Sequence, residues 1–82
     1  MEKVDLKEIG TRIAKLRKQK GLTQEYLAEK MDVSIQMISN LERGNKAIKI
    51  DNLIKLSKIL GVSTDYILTG GSPAAEQQIP LN

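Results

Sequence analysis

This 82-residue sequence predicts a compact all-α domain of five short helices. Its apolar residues recur three or four positions apart, the spacing that lines one face of a helix. Ser, Thr and Asp stand just before these runs and glycines just after them, where helix ends need them. The chain also has no Phe, Trp or Cys, so its core is aliphatic and no disulfide braces it. Helices bearing Leu and Ile are the simplest way to close such a core at a length where one core barely suffices.

The first helix begins at Leu6. Asp5 is placed to cap it with Glu8 three residues on, and Val4 and Ile9 are placed to staple its start. Leu6, Ile9, Ile13 and Leu16 form an apolar stripe, and a basic last turn followed by Gly21 ends the helix. Gly10 inside it costs about 1 kcal/mol against Ala; either a close helix–helix approach or simple tolerance accounts for it. Thr23 caps a second helix over 24–31, and Ser34 caps a third that ends at Arg43 and Gly44. A linker over 45–49 leads to a fourth helix over 50–60, with Leu53, Leu56 and Leu60 on one face, stopped by Gly61. Val62, Ser63 and Ile67 repeat the staple-and-cap pattern for a fifth helix, which ends near Thr69 before Gly70 and Gly71. From Ser72 the chain has two prolines, one charge and no helical period. This divides it into a domain over 1–71 and a tail over 72–82. The tail is read as flexible, or as an arm that docks on a partner through Ile79, Pro80 and Leu81.

Residues 23–44 carry the most information. Leu27 and Met31 lie four apart, Ile38 and Leu41 three apart, and Asp32-Val33-Ser34 between the pairs is too short for anything but a sharp corner. Ala28 and Ile38 are expected to meet inside it. The segment is thus a helix-turn-helix. The outward face of its second helix carries Ser34, Ile35, Gln36, Ser39 and Asn40. Short amides and hydroxyls without charge are what a helix needs to read base edges in a DNA major groove. The N-terminal residues of such a helix enter the groove, so Ser34, Ile35 and Gln36 lie closest to the bases, with Asn40 one turn on. Gln and Asn can pair bidentately with the N6 and N7 edge of adenine, and Ile35 can pack on a thymine methyl; A·T pairs are expected in the bound site. Met37 is expected to pack inward. Arg43, Asn45 and Lys46 are placed for contacts to the phosphate backbone, which set register without reading sequence.

With neither Cys nor His, zinc sites of the usual kind and Cys- or His-based catalysis are excluded. No cluster of acid, base and nucleophile stands out, so no catalytic residue, metal or cofactor is expected. No apolar run approaches the ~18 residues of a membrane span and nothing resembles a signal peptide. The expectation is a cytoplasmic protein with no membrane partner and no small-molecule substrate. Net charge is only +3. Its distribution says more: between Ile9 and Gln24 lie five basic residues, Arg12, Lys15, Arg17, Lys18 and Lys20, and no acid. Alone, such a run is usually a solvated helix face. Beside a helix-turn-helix it points to a phosphate backbone, which makes double-stranded DNA the expected partner.

The segment over 23–44 resembles the helix-turn-helix of the phage repressor and Cro family, the XRE-type regulators. The likeness runs on through ERG at 42–44 and GVSTDYIL at 61–68, and back through GTRIAKLRKQKGLTQ at 10–24, covering about residues 5–70. It implies a repressor-like five-helix domain. Two departures stand out. The family usually has Gly at the turn where Asp32 stands, and Asp tolerates a left-handed backbone at some cost. Related proteins commonly open the fourth helix with Pro-Ser, where this chain has Ile48-Lys49, which leaves that start open. Family members hold a phosphate at the start of the second helix; Thr23 and Gln24 match that role, since a helix N-terminus offers free N–H groups and a positive dipole end. Arg17 and Glu42 match a pair that in similar phage repressors forms a salt bridge between the first and third helices. Arg17 is therefore assigned to structure rather than to DNA.

The resemblance implies a sequence-specific transcription regulator of bacterial, plasmid or phage origin. Its default mode would be repression, with a homodimer on a two-fold operator. Tyr66, Ile67 and Leu68 fit the dimer. At ~100° per residue they spread over more than half the circumference of the fifth helix, so at least one lies outside the core, and Tyr66 or Leu68 is the candidate. Similar repressors pair through this end of the domain. Two alternatives remain. One is an antitoxin-like DNA-binding component whose C-terminal segment binds a partner protein. The other is a helical interaction module that no longer binds DNA, which would have lost the polar face that is present here.

Overall fold

Five helices follow one another as α1 (Leu6–Gln19), α2 (Gln24–Met31), α3 (Ile35–Arg43), α4 (Ile50–Leu60) and α5 (Thr64–Thr69). The computed structural model describes residues 4–71, and no strand occurs among them. Asp5, Thr23, Ser34 and Ser63 cap four of the helices, each accepting a main-chain N–H from the first turn. Such caps contribute about 1 kcal/mol apiece. The start of α4, open on sequence grounds, falls at Lys49, whose side chain makes no capping bond. Asp51 compensates in its first turn, accepting the N–H of Asn52 at 2.8 Å and placing a negative charge at the positive end of the helix. The tail over 72–82, with Ile79, Pro80 and Leu81, lies outside the described residues.

The core draws on all five helices. Ile9 and Ile13 come from α1, Leu27, Ala28 and Met31 from α2, Ile38 and Leu41 from α3, Leu53, Leu56 and Leu60 from α4, and Ile67 from α5. Met37 and Leu16 pack against its margin. The stripe of α1 is shorter than its spacing predicts: Leu6 is 36% exposed, and Val4, expected to staple onto Ile9, is 56% exposed. Burial of the stripe begins only at Ile9. Tyr66 and Leu68 are half-buried on either side of the fully buried Ile67.

Three close approaches set the angles between helices. At Gly10, α1 crosses α3 so tightly that a Cβ there would lie 2.7 Å from the carbonyl carbon of Glu42, and nearer still to the Leu41 and Glu42 oxygens. Close approach, not tolerance, is why a glycine sits inside α1. Arg12 crosses from α1 to the C-terminal end of α5, donating to the carbonyls of Ile67 and Leu68 at 3.0 and 3.3 Å. Lys55 on α4 does the same for α2, its Nζ 3.2 Å from the Met31 carbonyl. Each places a cation where a helix leaves carbonyls unpaired and its dipole is negative.

Candidate nucleic-acid interface

The turn between α2 and α3 is short because one residue takes a left-handed backbone. Asp32 has φ 59° and ψ 46°, and it is the one non-glycine residue with positive φ among those described. Its N–H donates back to Glu29 and that of Val33 to Ala28, which closes α2 and turns the chain through the corner. Ser34 follows at once, with its Oγ 3.0 Å from the Met37 N–H, and α3 begins. Ala28 and Ile38, expected inside this corner, are both buried.

The packing of α3 separates its faces. Ile38 and Leu41 are buried, whereas Ser34, Ile35 and Gln36 are exposed, Ile35 to 46%. Ser39 and Asn40 are half-buried on the same outer side. The side-chain oxygen of Asn40 accepts two hydrogen bonds, from Gln36 Nε2 at 3.2 Å and from Arg43 Nη2 at 3.1 Å. Three polar side chains of the outer face are thereby joined. Arg43, expected with Asn45 and Lys46 at the phosphate backbone, spends one N–H on Asn40.

A second network lies at the back of α3. Arg17 Nε donates to Glu42 Oε2 at 2.6 Å and its Nη2 to Oε1 at 3.1 Å, a two-pronged pair with side chains only 11% and 7% exposed. Arg17 Nη1 donates to the Leu22 carbonyl at 2.8 Å. The hydrogen bond to Glu42 raises the Arg17 pKa, burial opposes it, and the charge of Glu42 adds to the rise. The pair that the family resemblance implied is therefore present, and it is wider than a pair. Gln24 Nε2 also donates to Glu42 Oε1, at 2.9 Å. The Gln24 side chain thus ties α2 to the bridge between α1 and α3, and the second N–H of its amide and its main-chain N–H in the first turn of α2 are left for a phosphate. No local spacing signals this bond, since Gln24 and Glu42 stand 18 positions apart.

Thr23 Oγ1 accepts the Tyr26 N–H at 2.9 Å, and because it uses a lone pair to do so its hydroxyl proton is left to donate. Beyond the C-terminus of α3, Asn45 and Lys46 are exposed, and the Asn45 N–H returns to the Asn40 carbonyl at 2.9 Å. This holds the loop against the end of the helix. Exposed amides and hydroxyls on one helix face thus stand between two groups able to meet an anion. No helix among the described residues is long and apolar enough to cross a membrane.

The helix-turn-helix family matches residues 13–67, which run from the middle of α1 to α5. The chain belongs to the XRE-type helix-turn-helix family. Among its relatives is the HTH-type transcriptional regulator ImmR of Bacillus subtilis, 40% identical over 60 residues, 73% of this chain and 47% of ImmR. The chain thus spans about half the length of that regulator. Two solved structures superimpose with a TM-score of 0.73. One is the restriction-modification controller protein C.AhdI from Aeromonas hydrophila, 31% identical, covering 78% of this chain and 97% of that one. The other is the phage c2 repressor protein in complex with a synthetic operator, 39% identical, covering 76% and 94%. The all-α, repressor-like architecture expected from the sequence is the architecture of this family.

Proposed function

We propose that this chain is a sequence-specific double-stranded DNA-binding regulator, a repressor that binds a two-fold operator as a homodimer. The carrying observation is the exposed, hydrogen-bonding face of α3, whose first two turns bear no charge, presented at an angle set by the Arg17–Glu42–Gln24 network behind it. In this reading α3 enters the major groove with Ser34, Ile35 and Gln36 foremost. Gln36 faces an adenine edge, Ile35 a thymine methyl, and Ser39 the flank of the contacted bases. Thr23 and the first N–H groups of α2 hold one phosphate, and Asn45 and Lys46 hold another farther along the strand. The named functions of ImmR and the c2 repressor support regulation and repression as the outcome.

Dimerisation through the α5 end, with Tyr66 and Leu68 in the contact, would place two copies of α3 about 34 Å apart, one turn of DNA. The test is footprinting on the DNA that flanks the gene for this chain, because regulators of this kind commonly control themselves. A protected palindrome with half-sites one turn apart is the expected result. Protection that follows no sequence would overturn the reading.

A further inference from the structure

We propose that Asn40 is the positioning hub of the reading face, and that Arg43 reads a base alongside Gln36 instead of holding a phosphate; this rests on the DNA-binding reading above. Arg43 can only donate hydrogen bonds, so the Asn40 amide must turn its oxygen toward the guanidinium. The same oxygen takes the second hydrogen bond from Gln36. Gln36 must therefore direct its NH2 at Asn40 and its oxygen elsewhere. One donor-only neighbour thus orients two amides.

The consequences follow from counting what is left. The side-chain oxygen of Asn40 has both lone pairs engaged, so it cannot accept from adenine N6, and the two-bond amide–adenine contact is closed to it. Gln36 keeps its oxygen and one N–H, the combination that adenine N6 and N7 require. Arg43 spends one N–H on Asn40 and keeps one complete donor edge of its fork, which is what guanine O6 and N7 accept. Positions 36, 40 and 43 fall on one stripe of α3 at spacings of four and three. Gln36 and Arg43 are exposed and Asn40 is half-buried between them, so the hub lies deeper than the two side chains it holds. Gln36 and Arg43 are about 10 Å apart along the helix axis, or about three base-pair steps. The bound half-site should then carry an A·T pair under Gln36 and a G·C pair about three steps away under Arg43.

The experiment selects binding sites from a pool of randomised DNA duplexes with the full chain, then measures affinities for the enriched site and its single-base-pair variants. Arg43→Ala should flatten the preference at the G·C pair by about tenfold to a hundredfold while the A·T preference stands. Asn40→Ala should weaken both preferences. Asn40→Asp keeps an acceptor for both neighbours, so both preferences should survive, with affinity lowered alike for every duplex by the added negative charge. Three results would overturn the proposal. Arg43→Ala that loses affinity equally for all duplexes, and lowers the salt slope by about one, makes Arg43 a phosphate contact. Asn40→Asp that erases a preference left intact by Gln36→Ala and Arg43→Ala makes Asn40 a reader in its own right. A wild-type chain that enriches no site removes the DNA-reading function itself.

Discussion

In the proposed reading, Gln36 and Lys46 make two different kinds of contact, which single substitutions separate. Gln36→Ala is expected to weaken operator binding by roughly 1–3 kcal/mol with little effect on random DNA, because only base contacts distinguish the two. Lys46→Ala should weaken both and lower the dependence of log K on log salt by about one unit, the signature of one fewer released counterion. Filter or fluorescence titrations across a salt series read both quantities. Equal losses on both DNAs for Gln36→Ala would take it out of the reading set, and an unchanged slope would do the same for Lys46 among the phosphate contacts. Arg17 behaves differently, since it is buried with its partner. Arg17→Met strands Glu42 and should cost about 3 kcal/mol of stability, whereas changing Glu42→Met as well should recover part of that loss. Chemical denaturation measures it; an Arg17→Met protein that melts like wild type yet fails on DNA would return Arg17 to the DNA contacts.

Between elements, Gly10 sets two effects against each other. Gly10→Ala gains about 1 kcal/mol of intrinsic helix preference. It also drives a methyl group into the main chain of α3, and neither backbone can give way without parting α1 from α3. Overpacking of this kind costs about 1–3 kcal/mol, and contact with backbone puts it at the upper end. A net fall in melting temperature of several degrees is expected for a domain of this size; an unchanged or higher melting temperature would show that the crossing is looser than described. The same elements show how far local sequence reaches. Caps and glycines marked the ends of α1, α2, α3 and α5 because a helix end is a local hydrogen-bonding problem. Lys49 gave no such mark. The bonds from Gln24 to Glu42, Arg12 to α5 and Lys55 to α2 were illegible for a different reason: they join residues far apart in sequence, and no periodicity records them. Arg12 looked like one more member of a basic run, and only the fold shows that it closes a helix.

For the molecule as a whole, the question is which surface a second copy would cover. Tyr66 and Leu68 are half-buried, while Ile50 and Ile54 on α4 are 76% and 45% exposed. The α5 end remains the proposed contact because of the resemblance to repressors that pair there; Ile50 and Ile54 have more apolar area to remove from water. Leu68→Asp should then yield a monomer that retains the helical circular-dichroism spectrum and binds single half-sites without cooperativity. Sedimentation of the free and DNA-bound forms decides it. A wild-type chain that fills half-sites one at a time, as a monomer, would remove the dimer while leaving DNA recognition in place.

The network of Arg17, Glu42, Gln24 and the Leu22 carbonyl fastens α3 from behind, using none of the side chains on its outer face. In the proposed reading, support and recognition fall to separate residues of one nine-residue helix. A chain built this way is interchangeable at its tip. On that reading, exchanging Ile35, Gln36 and Ser39, with Ser34 kept as the cap of α3, alters what is met in the groove but not the angle at which it is met. New binding preferences then become accessible by a few substitutions, without first re-solving the fold.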